Sequence, residues 1–112
     1  MSEKDKEYLL DILESIHKIK NYIKDIPDCD TFYSQEIIFD AVLMNFVVIG
    51  ESVVKLSARI TGKYKEIEWS KIKGLRNIIA HDYFGIDAEE IWQIIKNNLP
   101  IFENQIKPLL EK

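Results

Sequence analysis

The sequence predicts an all-α fold, a four- to five-helix up-down bundle, on three observations. Apolar residues recur at helical spacing throughout. No segment alternates convincingly as a strand. Glycine and proline, the strongest breakers of structure, number only four and three in 112 residues. Hydrophobic residues make up 46% of the chain, enough to build a core, and the 30% of charged residues places it among globular rather than disordered proteins. A chain of this length reads as one domain, residues 1–112, without internal repeats. It buries only a modest fraction of its surface, so association with a second copy is expected.

The first helix is predicted from about Lys4 to Ile26, where Leu9, Ile12, Leu13, Ile16, Ile19 and Ile23 form one stripe. Pro27 ends it, and Asp30 or Thr31 can cap the next. The second helix is predicted from about Phe32 to Ile60. Between Ile37 and Ile49 it is apolar on nearly every side, which in a small domain marks a central helix that also meets a partner subunit. "TGKYKE" reads as a loop with Gly62 as the stop signal. The third helix spans about Trp69 to His81 and is closed by "DYFG", with Ile72, Leu75, Ile78 and Ile79 as its core stripe. Asp87 caps a fourth, "AEEIWQIIKNNL", with Glu89 and Glu90 in its first turn. Pro100 opens a short last helix, where proline is tolerated at the first position.

Several function classes are excluded at this level. Cys29 is the only cysteine, so no intramolecular disulfide and no Cys/His zinc cluster can form. The N-terminal "MSEKDKEYLL" has no apolar signal region. The apolar run "IIFDAVLMNFVVIG" contains Asp40 and Asn45 and is too short to span a bilayer, so a cytoplasmic protein with no membrane partner is expected. No set of carboxylates is spaced as a metal site, and no metal or cofactor is expected.

The net charge of −4 argues against nucleic acid until its distribution is read. Residues 1–54 carry five Lys/Arg against eleven Asp/Glu, whereas residues 55–76 carry seven (Lys55, Arg59, Lys63, Lys65, Lys71, Lys73, Arg76) against two. This basic block runs straight into "RNIIAHDYF" and can attract phosphates; Arg59, Lys71 and Lys73 are the candidate RNA contacts. A solvated basic surface explains the same block equally well.

Within the third helix, Arg76 lies about 40° from Ile72 and Tyr83 about 20°, at the edge of the core stripe, while Asn77 and His81 share the wetter face. Arg76 and His81 are roughly 140° apart, so both reach one phosphate only if the helix end relaxes, Arg76 sweeps across, or two subunits share the site. Each residue also has a plain structural account. Arg76 can snorkel or pair, His81 can sit on the helix dipole, and Asn77 and Tyr83 can be rim groups. Asp40 and Glu51 fall about 20° apart around the second helix, on one line, and Glu51 can orient Arg76.

At these residues the chain resembles a known family. "RNIIAHDY" has the form R-x4-H-x-Y, similar to the signature of HEPN ribonuclease toxins of HEPN/MNT toxin–antitoxin pairs, the HepT-like family. "VVIGESVVKLS", "W..IKGLRNIIAHDYFGID" and "IWQIIKNNLP" follow that family's pattern in order and spacing, covering most of the chain from Val47 onward. The resemblance implies a homodimeric helical bundle with metal-independent endoribonuclease activity. It matches Arg76 and His81 to the catalytic pair, Asn77 to the polar residue beside the arginine, and Tyr83 to the tyrosine modified by the cognate antitoxin. That antitoxin is a minimal nucleotidyltransferase that silences the toxin by transferring AMP from ATP, a type VII-like arrangement. Glu51 and Asp82 are candidate supports.

The residue types fit the chemistry. RNA carries its own nucleophile, the 2′-OH; histidine can move a proton near neutral pH, and arginine can hold a phosphate with planar donors. The acidic pI favours a short structured contact, such as tRNA or a single-stranded segment, over a long electrostatic track. Two other classes compete. One is a non-catalytic HEPN subunit that binds nucleotide or presents Tyr83 to a nucleotidyltransferase; intact Arg76, His81 and Tyr83 argue against it. The other is a plain dimerisation domain, which a neighbouring nucleotidyltransferase gene would exclude.

Overall fold

Ser2 starts the first helix: its hydroxyl accepts a hydrogen bond from the Asp5 amide at 3.0 Å, satisfying one of the donors a helix N-terminus leaves free. A computed structural model describes residues 1–111. The elements are α1 (Glu3–Ile23), α2 (Cys29–Ser34), α3 (Glu36–Lys55), α4 (Ala58–Lys63), α5 (Trp69–His81), α6 (Ala88–Gln93) and α7 (Leu99–Leu110). A 3₁₀ turn covers Tyr83–Gly85, a π segment covers Ile94–Asn98, and no strand occurs among the described residues. The all-α class predicted from periodicity is what forms.

α3 is the spine. α1 packs along one of its sides, α5 along another, and α7 closes over α1. The predicted stripe of α1 holds, with Leu9, Ile12, Ile16 and Ile19 fully buried, and they meet Val42, Leu43, Phe46 and Val53 of α3 in one core. Ile37, Met44 and Val48 remain on the outer surface of α3, so its apolar run exceeds what this chain covers.

Five local expectations are corrected. The predicted second helix is three helices. Gln35, at φ −88° and ψ 79°, separates α2 from α3, and Phe32 turns inward to stack near Phe39 and Trp92. α3 ends at Lys55 because the Asp5 carboxylate, 52 residues away, captures the amide of Ser57 at 2.9 Å and its hydroxyl at 2.7 Å. Periodicity within a window cannot register a partner so distant. The cap of α2 is Asp28, which accepts from the Thr31 amide at 2.8 Å, rather than Asp30 or Thr31. Asp28 stands just before the first helical residue, whereas Asp30 and Thr31 already lie inside the helix.

Gly62 lies inside α4 rather than after it, and no described residue has a positive φ, so glycine's left-handed freedom is not used there. The predicted fourth and fifth helices are continuous. Pro100 cannot donate to the preceding turn, and the chain widens to a π turn, with the Leu99 amide bonding to the Ile94 carbonyl, instead of breaking. Asp87 caps α6 as expected, accepting from the Glu89 amide at 2.9 Å.

The core stripe of α5 is narrower than predicted. Ile79 is buried, Ile72 and Leu75 are half-buried, and Ile78 is 56% exposed. Ile78 sits about 100° from Ile79, and with α3 the principal neighbour of α5, only one edge of the stripe is covered.

Candidate active site

α5 approaches α3 closely because Gly50 has no side chain. A Cβ built there would lie 2.4 Å from the Arg76 Cβ and 3.1 Å from its Cγ, closer than real atoms approach. The arginine arm runs across that gap. Its Nη1 donates to the Glu51 Oε1 at 2.7 Å, as the sequence allowed. The pair is partly exposed, with 27% of the Arg76 side chain and 45% of the Glu51 side chain open to water. Such a pair adds about 1 kcal/mol or less to stability, so its main effect is to aim the guanidinium.

One detail separates Arg76 from an ordinary surface ion pair. Its Nε is buried without a hydrogen-bond partner, the one such side-chain atom among the described residues. Leaving a buried donor unpaired costs about 1–3 kcal/mol. The partly exposed ion pair with Glu51 does not recover that cost.

Asn77 and His81 lie on the exposed side of α5, as predicted. The helix keeps its form through His81, so the roughly 140° between Arg76 and His81 around its axis stands. Helix geometry does not extend to Tyr83. Asp82, at φ −142° and ψ 56°, leaves the helical region, and its carboxylate folds back against Gly85, whose missing Cβ leaves it room. Tyr83 enters the 3₁₀ turn, so its expected angular relation to Arg76 along one continuous helix does not apply.

The Tyr83 hydroxyl donates to the Asp40 carboxylate on α3. That bond, with some burial and the charge of Asp40, pushes the phenol up to about 12. The next residue, Phe84, is fully exposed and meets the Tyr83 ring edge-on. Asp40 and Glu51 are both in α3, eleven residues apart, so Tyr83 and Arg76 rest on carboxylates about 16 Å apart along one helix. The sequence placed the two carboxylates on one line; what it missed was Asp40 as the partner of Tyr83.

The basic candidates divide. Lys71 pairs with Glu68 at 2.7 Å and lines a cavity of about 190 Å³ with Ile72, Leu75, Asn98 and Phe102. None of Arg76, Asn77, His81 or Tyr83 borders that cavity. Lys71 is about 140° from Arg76 around α5, whereas half-buried Lys73 is about 60° away. Arg59 is exposed on α4. Among the described residues, no three or more His, Cys, Asp and Glu converge as a metal site.

"Putative RNase MJ1380" of Methanocaldococcus jannaschii is 35% identical over 108 residues, covering 96% of this chain and 98% of that protein. "Gamma-glutamylcyclotransferase and putative RNase MJ0434" of the same organism is 34% identical over 107 residues, and the chain spans 48% of its length. "Probable ribonuclease HepT" of Thermococcus cleftensis is 28% identical over 109 residues, covering 97% of this chain and 98% of that one. No solved structure matches. Residues 12–109 fit the family described as ribonuclease HepT-like, and with relatives alike over nearly the whole chain, this protein belongs to that family.

Proposed function

We propose that this chain is a metal-independent endoribonuclease toxin, active as a homodimer and silenced when a cognate minimal nucleotidyltransferase transfers AMP to Tyr83. The observation that carries the reading is Arg76: a guanidinium held at the surface by Glu51, with one nitrogen buried unpaired, and an exposed histidine at the end of the same helix. In a ribonuclease HepT-like chain those are the groups that transesterification of RNA requires.

The reaction needs no nucleophile beyond the substrate's own. The 2′-OH attacks the adjacent phosphorus, a proton passes through the His81 imidazole, and the 5′ oxygen departs. The products are a 2′,3′-cyclic phosphate and a 5′-OH. Arg76 holds the phosphate oxygens as charge builds on them, its planar donors matching their geometry. Glu51 keeps the guanidinium in place, and Asn77 adds a polar contact on the His81 side. Because Arg76 and His81 diverge on one helix, the working site is completed across a two-fold interface. The uncovered α3 surface at Ile37, Met44 and Val48 is the apolar face available for it.

The test is RNA cleavage in vitro with total tRNA and a single-stranded oligonucleotide. Arg76→Ala and His81→Ala are each expected to reduce cleavage by at least about a hundredfold. Melting temperature should move little, because His81 is exposed and the Arg76 ion pair is partly open to water. Cleavage should continue in EDTA. Activity lost in EDTA and restored by magnesium would overturn the mechanism; full activity in both variants would remove the catalytic assignment.

A further inference from the structure

We infer that Asp40 is the proton acceptor for nucleotidyl transfer to Tyr83, an inference that rests on Tyr83 being the modified residue. In the unmodified chain the Tyr83 hydroxyl donates its hydrogen to the Asp40 carboxylate. The two come from different elements, the 3₁₀ turn after α5 and the first half of α3, 43 residues apart in sequence. The tyrosine is 39% exposed, so its oxygen can be reached while the proton is held from behind.

The step balances with a nucleoside triphosphate as co-reactant. The phenol oxygen forms a bond to the α-phosphorus, the bond from that phosphorus to the bridging oxygen breaks, pyrophosphate leaves, and the phenol proton passes to Asp40. Free phenolate is scarce at neutral pH, because the same hydrogen bond pushes the phenol up to about 12. A carboxylate already bonded to the proton removes the need for prior ionisation, since the proton transfers as the new bond forms. Nucleotidylation of the oxygen then removes the donor. A phosphodiester anion would face the Asp40 carboxylate, and like charges repel at that range, so the adduct leaves α3. Asp40 thus favours the forward step and disfavours the tyrosine's return to its resting place.

The test reads AMP on the Tyr83 peptide by mass spectrometry in two arms, with helicity checked by circular dichroism. In the first arm the chain alone reacts with adenosine 5′-phosphorimidazolide, an activated AMP whose leaving group is imidazole. Asp40→Asn keeps an oxygen that can accept the hydroxyl bond but loses the base. It is expected to label Tyr83 at least about tenfold more slowly than wild type, with Asp40→Glu recovering part of the rate. Labelling of Asp40→Asn at the wild-type rate or faster overturns the inference; a slow Asp40→Ala beside a normal Asp40→Asn would do the same, by making Asp40 an orienting group only. In the second arm the wild-type chain meets, with ATP, a minimal nucleotidyltransferase of the kind the proposed function invokes. AMP absent from Tyr83 there removes the acceptor assignment, and the inference with it. That failure is distinct, because it shows in the wild type.

Discussion

Gly50 shows how one residue positions another. The gap it leaves is filled by the Arg76 side chain, so a methyl group at that point has no place to go without moving α5. Gly50→Ala is expected to destabilise the fold by about 1–3 kcal/mol through overpacking, partly offset by alanine's better helix propensity. RNA cleavage should fall further than that loss explains, because Arg76 is displaced from Glu51. Gly74→Ala in α5 is the control: nothing lies within 4 Å of its Cβ, so up to about 1 kcal/mol of stabilisation is expected. Thermal melts and cleavage assays on both variants check this, and equal behaviour of the two would refute it. Tyr83 gives a second residue-scale expectation. Its phenol is raised from 10.0 to about 12, so between those values wild type should retain one phenol that Tyr83→Phe lacks. Spectrophotometric titration near 295 nm, compared between the two proteins, reads the difference. The sign follows: the stability from the Asp40 bond is complete below pH 10 and is lost as pH rises through about 12.

At the scale of elements, α1 and α7 are joined by a cluster the sequence did not disclose. Glu103 on α7 is only 4% exposed, yet it accepts from Lys20 at 2.9 Å and lies 3.1 Å from His17 Nε2 and 3.3 Å from Lys107 Nζ. Burial pushes its carboxyl up, but the hydrogen bonds and charges of Lys20 and Lys107 outweigh that and hold it below the usual range. A depressed carboxyl contributes stability above its unfolded value, near 4.5, which is lost as pH falls through the folded value. Asp5, held below its usual range against its own burial by the Ser57 and Ser2 bonds, acts in the same direction. Acid melts should therefore show stability declining below about pH 4.5, less steeply in Glu103→Gln. Because the cationic partners are half-exposed, Glu103→Ala should cost about 2 kcal/mol at neutral pH, below the range for a fully buried pair.

For the whole molecule, the expectation concerns assembly. α3 is sided by α1 and α5, yet Met44 stays 61% exposed, in line with Ile37 and Val48. If that face is the two-fold contact, light scattering should give twice the 13.2 kDa chain mass, and Met44→Asp should give monomer with reduced cleavage. A wild-type monomer at micromolar concentration would defeat the shared-site reading.

What the sequence by itself determined is local in origin. Apolar spacing set the all-α class and the buried stripe of α1, a lone Asp before an acidic turn set the start of α6, and both ends of α5 were legible. The R-x4-H-x-Y stretch was legible as a resemblance to a family signature, and Glu51 as a candidate partner of Arg76 from its charge, although the pair joins two helices. Tertiary structure decided the rest. α3 stops at Lys55 because Asp5 takes the Ser57 amide, Tyr83 rests on Asp40, and Glu103 is buried among lysines from two helices. Those partners stand 52, 43 and 83 residues apart. Periodicity and capping act within a few turns. A carboxylate's choice among distant donors is made only once packing has brought α1, α3, α5 and α7 together and removed the water that competed for it.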